Sequence, residues 1–124
     1  MPHIIFECSK NVFESQGIES LDRLMSDLSY VLANMLPTKL NHCKSRLYVP
    51  EIYFLGSNGD SAYEGFIHIS ISILKGRSKE LLDQILEILM LKTKEHTKIS
   101  EAKYNVQISI EIKELSDFYL KNTK

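Results

Sequence analysis

The chain has 124 residues, of which 44% are hydrophobic and 25% charged, a composition that predicts one soluble globular domain over residues 1–124. Its formal net charge of −1 lacks the basic excess of nucleic-acid-binding proteins, so we expect no nucleic-acid partner. No stretch approaches the roughly twenty apolar residues that span a bilayer, and the start of the chain lacks a signal-peptide pattern. We therefore expect a cytoplasmic protein with no membrane association.

The first predicted strand begins almost at the first residue. Ile4, Ile5 and Phe6 are strand formers with no turn residue among them, and a strand built into a sheet holds the chain end still. Removal of Met1 would leave Pro2 with a secondary amine, which becomes a base when burial and nearby positive charges lower its pKa. Pro2 is our candidate general base, although proline also occurs at the first position of a strand for structural reasons alone.

The rest of the first half predicts a connecting segment, a helix and a strand. Ser9 to Gly17 is rich in turn formers, and a helix is expected from about Glu19 until Pro37 ends it. A second strand follows over residues 44–49, and Pro50 indicates that it is bent or lies at a sheet edge. The buried stripe of the helix is expected to contain Ile18, Leu21, Leu24, Met25, Leu28, Val31, Leu32 and Met35.

The second half repeats this order after a predicted turn at residues 56–61. A strictly alternating strand over residues 65–73 is followed by a helix that Ser78 would cap and that runs to about His96. The last strand covers residues 106–113, and the residues after Leu120 are expected to fray.

The predicted fold class is α+β, with two consecutive β-α-β units in halves of roughly residues 1–60 and 61–124. These units form a four-stranded sheet with two helices on one face, and the similar halves are consistent with an internal duplication. Because such a sheet leaves one face and two edges uncovered, we expect a symmetric oligomer.

Arg77 is the second candidate site residue. It stands just before Ser78, at a helix start where free N–H groups and the helix dipole favour an anion. A guanidinium adds bidentate recognition of a carboxylate, so this turn predicts a carboxylate site. An ordinary strand-to-helix turn with an exposed arginine would have the same sequence.

Lys44 and Arg46 are the third feature, because side chains two residues apart on a strand leave the same face. They predict a second cationic site for a substrate anion. Lysine on an edge strand also discourages aggregation, and this alternative remains open.

Neither cysteines nor histidines have the spacing of a metal site, so we expect no metal and two reduced cysteines, Cys8 and Cys43. The four histidines are scattered along the chain: His3, His42, His68 and His96.

Taken together, these motifs resemble the 5-carboxymethyl-2-hydroxymuconate isomerase family of the tautomerase superfamily. The order and spacing of the matching segments agree over nearly the whole chain. The segments are Met1-Pro2-His3, Glu7-Cys8-Ser9, Lys44-Ser45-Arg46, Phe66-Ile67-His68, Gly76-Arg77-Ser78 and Ser109 to Leu115.

The resemblance implies a homotrimer without metal or organic cofactor that moves a proton in an unsaturated oxo-dicarboxylate or tricarboxylate. In the family, the proline that matches Pro2 takes a proton from the 2-hydroxyl of a dienol and returns it to a distant carbon. Arg77 matches an arginine that binds a substrate carboxylate. Where the family usually has Arg-Ser-Arg, this chain has Lys44-Ser45-Arg46, and lysine offers a point charge in place of a planar fork.

Three alternatives remain at this stage. The same groups could serve another proline-based reaction, such as hydration-type dehalogenation or decarboxylation. A trimeric small-molecule-binding protein of this fold, with Met1 retained, would lack catalysis. A dimeric ferredoxin-like regulatory module is the remaining fold alternative.

Overall fold

The computed structural model of the chain describes residues 2–56 and 61–122. The strands are β1 (His3–Cys8), β2 (Lys44–Tyr48), β3 (Glu64–Ile73) and β4 (Asn105–Glu114). The helices are α1 (Lys10–Gln16), α2 (Ile18–Met35), α3 (Lys79–His96) and α4 (Lys98–Lys103), with single 3₁₀ turns at Leu40–His42 and Ser61–Tyr63.

The four strands form one mixed sheet in the order β2-β1-β3-β4. β1 is parallel to β2 and β3 is parallel to β4, which confirms the two predicted β-α-β units. β1 meets β3 antiparallel, with His3 opposite Ser72. The starts of β1 and β2 and the ends of β3 and β4 therefore share one end of the sheet, which we call the Pro2 end.

The core lies between one face of the sheet and the two long helices. Ile4 and Phe6 of β1 point into it, as do the alternate isoleucines of β3, because successive strand side chains leave opposite faces. Leu28 of α2 and Ile85 of α3 are fully buried against them. The opposite face, here called the open face, carries exposed polar residues on β4, and the rings of Tyr119 and Tyr53 contact it at His3 and Phe66.

The prediction that Ser9 to Gly17 is a connecting segment is wrong, since most of these residues form α1. Val12 is fully buried, and the Gln16 side chain is tied to α4, where its Oε1 accepts from the Ser100 backbone N–H at 3.0 Å. The turn formers flank this helix: Gly17 adopts φ 81° between α1 and α2. A helix of seven residues is marginal alone, so these tertiary contacts decide its conformation.

The other predicted strands and helices are present, but α4 was not predicted, and Ile18, expected in the buried stripe of α2, is 72% exposed. β2 lies at a sheet edge, as Pro50 indicated, and the Ser78 hydroxyl caps α3 by accepting from Leu81 N–H at 3.2 Å. The predicted turn at residues 56–61 falls largely on residues 57–60, outside the described part of the chain. Within the described part, no helix combines the length and apolar character that a membrane crossing requires.

Candidate active site

Pro2 is buried at the Pro2 end of the sheet, immediately before β1. Its carbonyl accepts a hydrogen bond of 3.0 Å from the Lys44 backbone N–H, which ties the start of β1 to the start of β2. The predicted general base is thus held by the sheet, as its position before a strand indicated.

Lys44 and Arg46 both lie on the open face of β2, opposite His3 and Ile5 of β1. Lys44 Nζ donates to the Asn41 carbonyl at 2.9 Å. Arg46 Nη1 lies 3.5 Å from His3 Nδ1, a long contact at the limit of hydrogen bonding. The structure therefore brings the two predicted cations beside the residue that follows Pro2.

The C-terminal segment also lies beside His3, at the Pro2 end of the sheet. The Tyr119 hydroxyl lies 3.2 Å from His3 Nε2, and the two rings meet edge to face with centroids 6.2 Å apart. The charge of Lys121 also acts on both His3 and His42. Part of the segment that was expected to fray therefore contributes a cation to the Pro2 end.

Positive charge dominates this end of the molecule. Burial lowers the pKa of His3, and the charges of Arg46, Lys121 and Lys44 lower it further. The pKa of His42 is lowered in the same way, by desolvation and then by nearby lysines. We call the set formed by Lys39, Lys44, Arg46 and Lys121 the basic corner. Its field favours an anionic ligand, and it disfavours protonation of nearby amines and imidazoles.

Arg77 is placed differently from the other predicted residues. Its Nε and Nη2 donate to the Leu36 carbonyl at 3.2 and 2.8 Å, and its Nη1 donates to the Leu74 carbonyl at 3.3 Å. The guanidinium thus joins the end of α2 to the residue after β3, using three of its five N–H groups. Its predicted role as a carboxylate ligand depends on the remaining two and stays a prediction.

Among residues 2–56 and 61–122, no three His, Cys, Asp or Glu side chains are grouped as a metal site would require. Cys8 and Cys43 are both free thiols.

Four residues of this site were not identified from the sequence: His3, Lys39, Tyr119 and Lys121. Tyr119 lies 116 positions from His3, and no local pattern connects them. The nearest signal in the sequence was the position of His3, directly after the candidate base.

The model of the family described as 5-carboxymethyl-2-hydroxymuconate isomerase matches residues 2–124. The chain belongs to this family. A crystal structure of a 5-carboxymethyl-2-hydroxymuconate isomerase from Deinococcus radiodurans R1 is similar, with a TM-score of 0.82 and 25% identity over 98% of this chain and 90% of that one. The family and the fold identify the protein as an isomerase of the tautomerase superfamily.

Two further structures share the fold of this 5-carboxymethyl-2-hydroxymuconate isomerase family member. A 5-carboxymethyl-2-hydroxymuconate delta-isomerase has a TM-score of 0.81 and 16% identity, over 100% of this chain and 89% of that one. A fused 4-OT symmetric trimer has a TM-score of 0.67 and 12% identity, over 97% and 92% of the two chains. Among curated protein sequences, none matches this chain.

Proposed function

We propose that this isomerase moves a proton in a hydroxymuconate-type unsaturated dicarboxylate or tricarboxylate, without a cofactor, and that the amine of Pro2 is the general base. The observation that most supports this proposal is that Pro2 lies beside the basic corner. The Pro2 carbonyl accepts a hydrogen bond from the backbone N–H of Lys44, and Arg46 contacts the adjacent His3. A buried strand end and a cluster of cations are what an amine base and an anionic substrate both require.

The proposed reaction is a proton transfer within the substrate. After removal of Met1, the Pro2 nitrogen takes the proton of the 2-hydroxyl group of the dienol. The O–H electrons form the carbonyl, the conjugated double bonds shift, and the distant carbon takes the proton back from the Pro2 ammonium. Bonds and charges balance without an oxidant or reductant, so Pro2 returns to its starting state.

The cations would act both on the Pro2 amine and on the substrate. Positive charges of Lys44 and Arg46 favour the uncharged amine before the reaction and stabilise the negative charge that develops on the dienolate. The same two side chains would bind substrate carboxylates, and the free N–H groups of Arg77 would bind another. Lys44 supplies charge without the planar fork of an arginine, so the spacing of the carboxylates depends most on Arg46.

We also propose that the active form is a homotrimer. The polar residues of β4 on the open face are exposed, and four large apolar side chains are at least 90% exposed: Ile52, Phe54, Phe118 and Leu120. Burial of such side chains against a second copy would remove apolar surface from water. Light scattering of the purified protein should give three times the mass of the chain, and a monomer or dimer would contradict the proposal.

The test of Pro2 as the general base changes no side chain of the protein. The chain is produced with a removable N-terminal extension, and turnover of 5-carboxymethyl-2-hydroxymuconate is measured before and after cleavage to a free Pro2. While the extension is attached, the Pro2 nitrogen is an amide and cannot accept the proton. We expect cleavage to raise kcat by at least about 100-fold, the lower range for a general base.

Pro50→Ala is the matched control, since Pro50 follows β2 at the opposite end of that strand. It should respond to cleavage as the wild type does. Equal turnover in both forms would exclude Pro2 as the base. Binding of the substrate without turnover in either form would favour the non-catalytic binding protein.

A further inference from the structure

Arg46, His3 and Tyr119 form a continuous chain of polar contacts at the basic corner. Arg46 Nη1 lies 3.5 Å from one imidazole nitrogen of His3, and the Tyr119 hydroxyl lies 3.2 Å from the other. The three residues come from β2, from β1 and from the segment after β4, so they meet only in the folded chain.

The chemistry of arginine sets the direction of these contacts. A guanidinium only donates, so a hydrogen bond from Arg46 requires the lone pair of His3 Nδ1. In a neutral imidazole the proton then lies on Nε2, and this N–H donates to the Tyr119 oxygen. The lowered pKa of His3 is consistent with a neutral ring. With this tautomer, Tyr119 accepts from His3, and its own O–H proton can point to another acceptor.

Within residues 2–56 and 61–122, His3 is the hydrogen-bond partner of this hydroxyl, and the O–H proton meets no acceptor. Tyr119 is half-buried, and Lys121 follows it by two residues. A hydroxyl that accepts one hydrogen bond becomes a stronger donor of another. A free phenolic donor thus stands among the cations of the basic corner.

We propose that Tyr119 is a further substrate-binding residue, whose O–H donates to a carboxylate of the dicarboxylate held at the basic corner. This inference rests on the proposed function, since it assumes that the basic corner binds the substrate. Beside the cations Lys44 and Arg46, Tyr119 supplies a neutral hydrogen-bond donor with a preferred direction. The charges attract the anion over a distance, whereas the hydroxyl requires one carboxylate oxygen at one position.

The test uses trans,trans-muconate, a dicarboxylate without the 2-hydroxyl group, as a ligand that the proposed reaction does not consume. Its affinity is measured by calorimetry for the wild type, for Tyr119→Phe and for Tyr104→Phe. Tyr104 precedes β4, at the end of the sheet away from Pro2, so its variant controls for the loss of a hydroxyl group. We expect Tyr119→Phe to bind muconate about tenfold more weakly, the effect of losing a hydrogen bond to a charged group.

Kinetics supply the second measurement. If the hydroxyl binds the carboxylate equally in substrate and transition state, Tyr119→Phe should raise KM about tenfold and change kcat less than twofold. Muconate affinity within twofold of the wild type would overturn the inference. An unchanged KM with a lowered kcat would overturn it too, because the hydroxyl would then act on the chemical step alone.

The alternative is that Tyr119 only holds the C-terminal segment in place. Hydrogen exchange of residues 115–122 separates the two roles. Weaker binding with unchanged protection of this segment supports direct contact, and weaker binding with lost protection overturns it. Muconate binding is measured with the N-terminal extension attached as well. Tight binding without turnover after cleavage would contradict the proposed function alone. No binding of muconate by a wild type that still turns over its substrate would overturn this inference alone, and no binding together with no turnover would overturn both proposals.

Discussion

Arg46 approaches the imidazole of His3 with its Nη1 atom 3.5 Å from Nδ1, from the neighbouring strand of the sheet. The contact joins the residue after the proposed base to a cation expected to bind substrate. Because both groups would be donors if His3 were protonated, a hydrogen bond between them requires a neutral ring. A proton on His3 would place two positive charges beside each other.

The first prediction concerns the titration of His3. Its pKa is lowered from the ordinary value of 6.5, chiefly by burial and next by Arg46. The unfolded chain therefore binds this proton more readily, and the free energy of unfolding should fall as the pH falls below about 6.5. The free energy of unfolding should stop falling once the pH is below the pKa of His3 in the folded protein. The stability that the neutral ring contributes is fully present above about pH 6.5.

Proton NMR of the imidazole C–H signals measures this directly. His3→Gln identifies the signal by its disappearance, and Arg46→Gln should raise the midpoint. Arg23→Gln is the control, since Arg23 is exposed on α2 and should leave the midpoint unchanged. A wild-type midpoint at or above 6.5 would show that the ring is not kept neutral.

The second prediction concerns Arg77, whose guanidinium donates to the carbonyls of Leu36 and Leu74. Arg77→Gln should lower the free energy of unfolding by about 2 kcal/mol, since it leaves these carbonyls without their donor. Arg77→Lys should lose less stability but should still raise KM, because an ammonium is a compact point charge without the planar fork by which a guanidinium spans the carbonyls and a carboxylate. Chemical denaturation and steady-state kinetics measure the two effects.

For Arg77, the informative comparison is between the two measurements on the lysine variant. A loss of stability with unchanged KM would mean that Arg77 ties α2 to the end of β3 and does not bind substrate. Arg23→Gln again serves as the control, and its free energy of unfolding should stay within about 0.5 kcal/mol of the wild type.

The third prediction tests the close approach of α1 to β3. A Cβ atom on Gly65 would lie 3.1 Å from Val12 Cγ2 and 3.2 Å from Ser9 Oγ. Gly65→Ala should therefore lower the free energy of unfolding by about 2 kcal/mol through overpacking. Gly56→Ala is the matched control, because a Cβ there would meet nothing within 4 Å. Equal stability of the two variants in thermal denaturation would contradict the tight contact.

The fourth prediction concerns thiol reactivity. Burial raises the pKa of Cys8 to about 11, so its thiolate is scarce at neutral pH. Burial also raises the pKa of Cys43, but that side chain is only half-buried and Lys44 acts in the opposite direction. With a disulfide reagent at pH 8, Cys43 should react first and Cys8 only as the protein unfolds. A fast phase that persists in Cys43→Ser would disprove this order.

The local elements were predictable because their signals lie between near neighbours in the chain. Alternating isoleucines predicted β3, and the spacing of leucines predicted α2 and α3. Ser78 marked the start of α3, and Pro50 marked an edge strand. The prediction for the segment from Ser9 to Gly17 was wrong for the opposite reason. Its helix depends on contacts with α4, which the local sequence pattern does not contain.

The sequence by itself determined the family, the β-α-β order and the candidates Pro2, Lys44, Arg46 and Arg77, because periodic burial and short motifs are properties of adjacent residues. Only the tertiary structure decided what surrounds them. It placed Tyr119 on His3 across 116 positions and turned the Arg77 guanidinium toward the end of α2. Such contacts depend on how the chain closes on itself, since side chains distant in sequence meet only when the sheet and helices have packed.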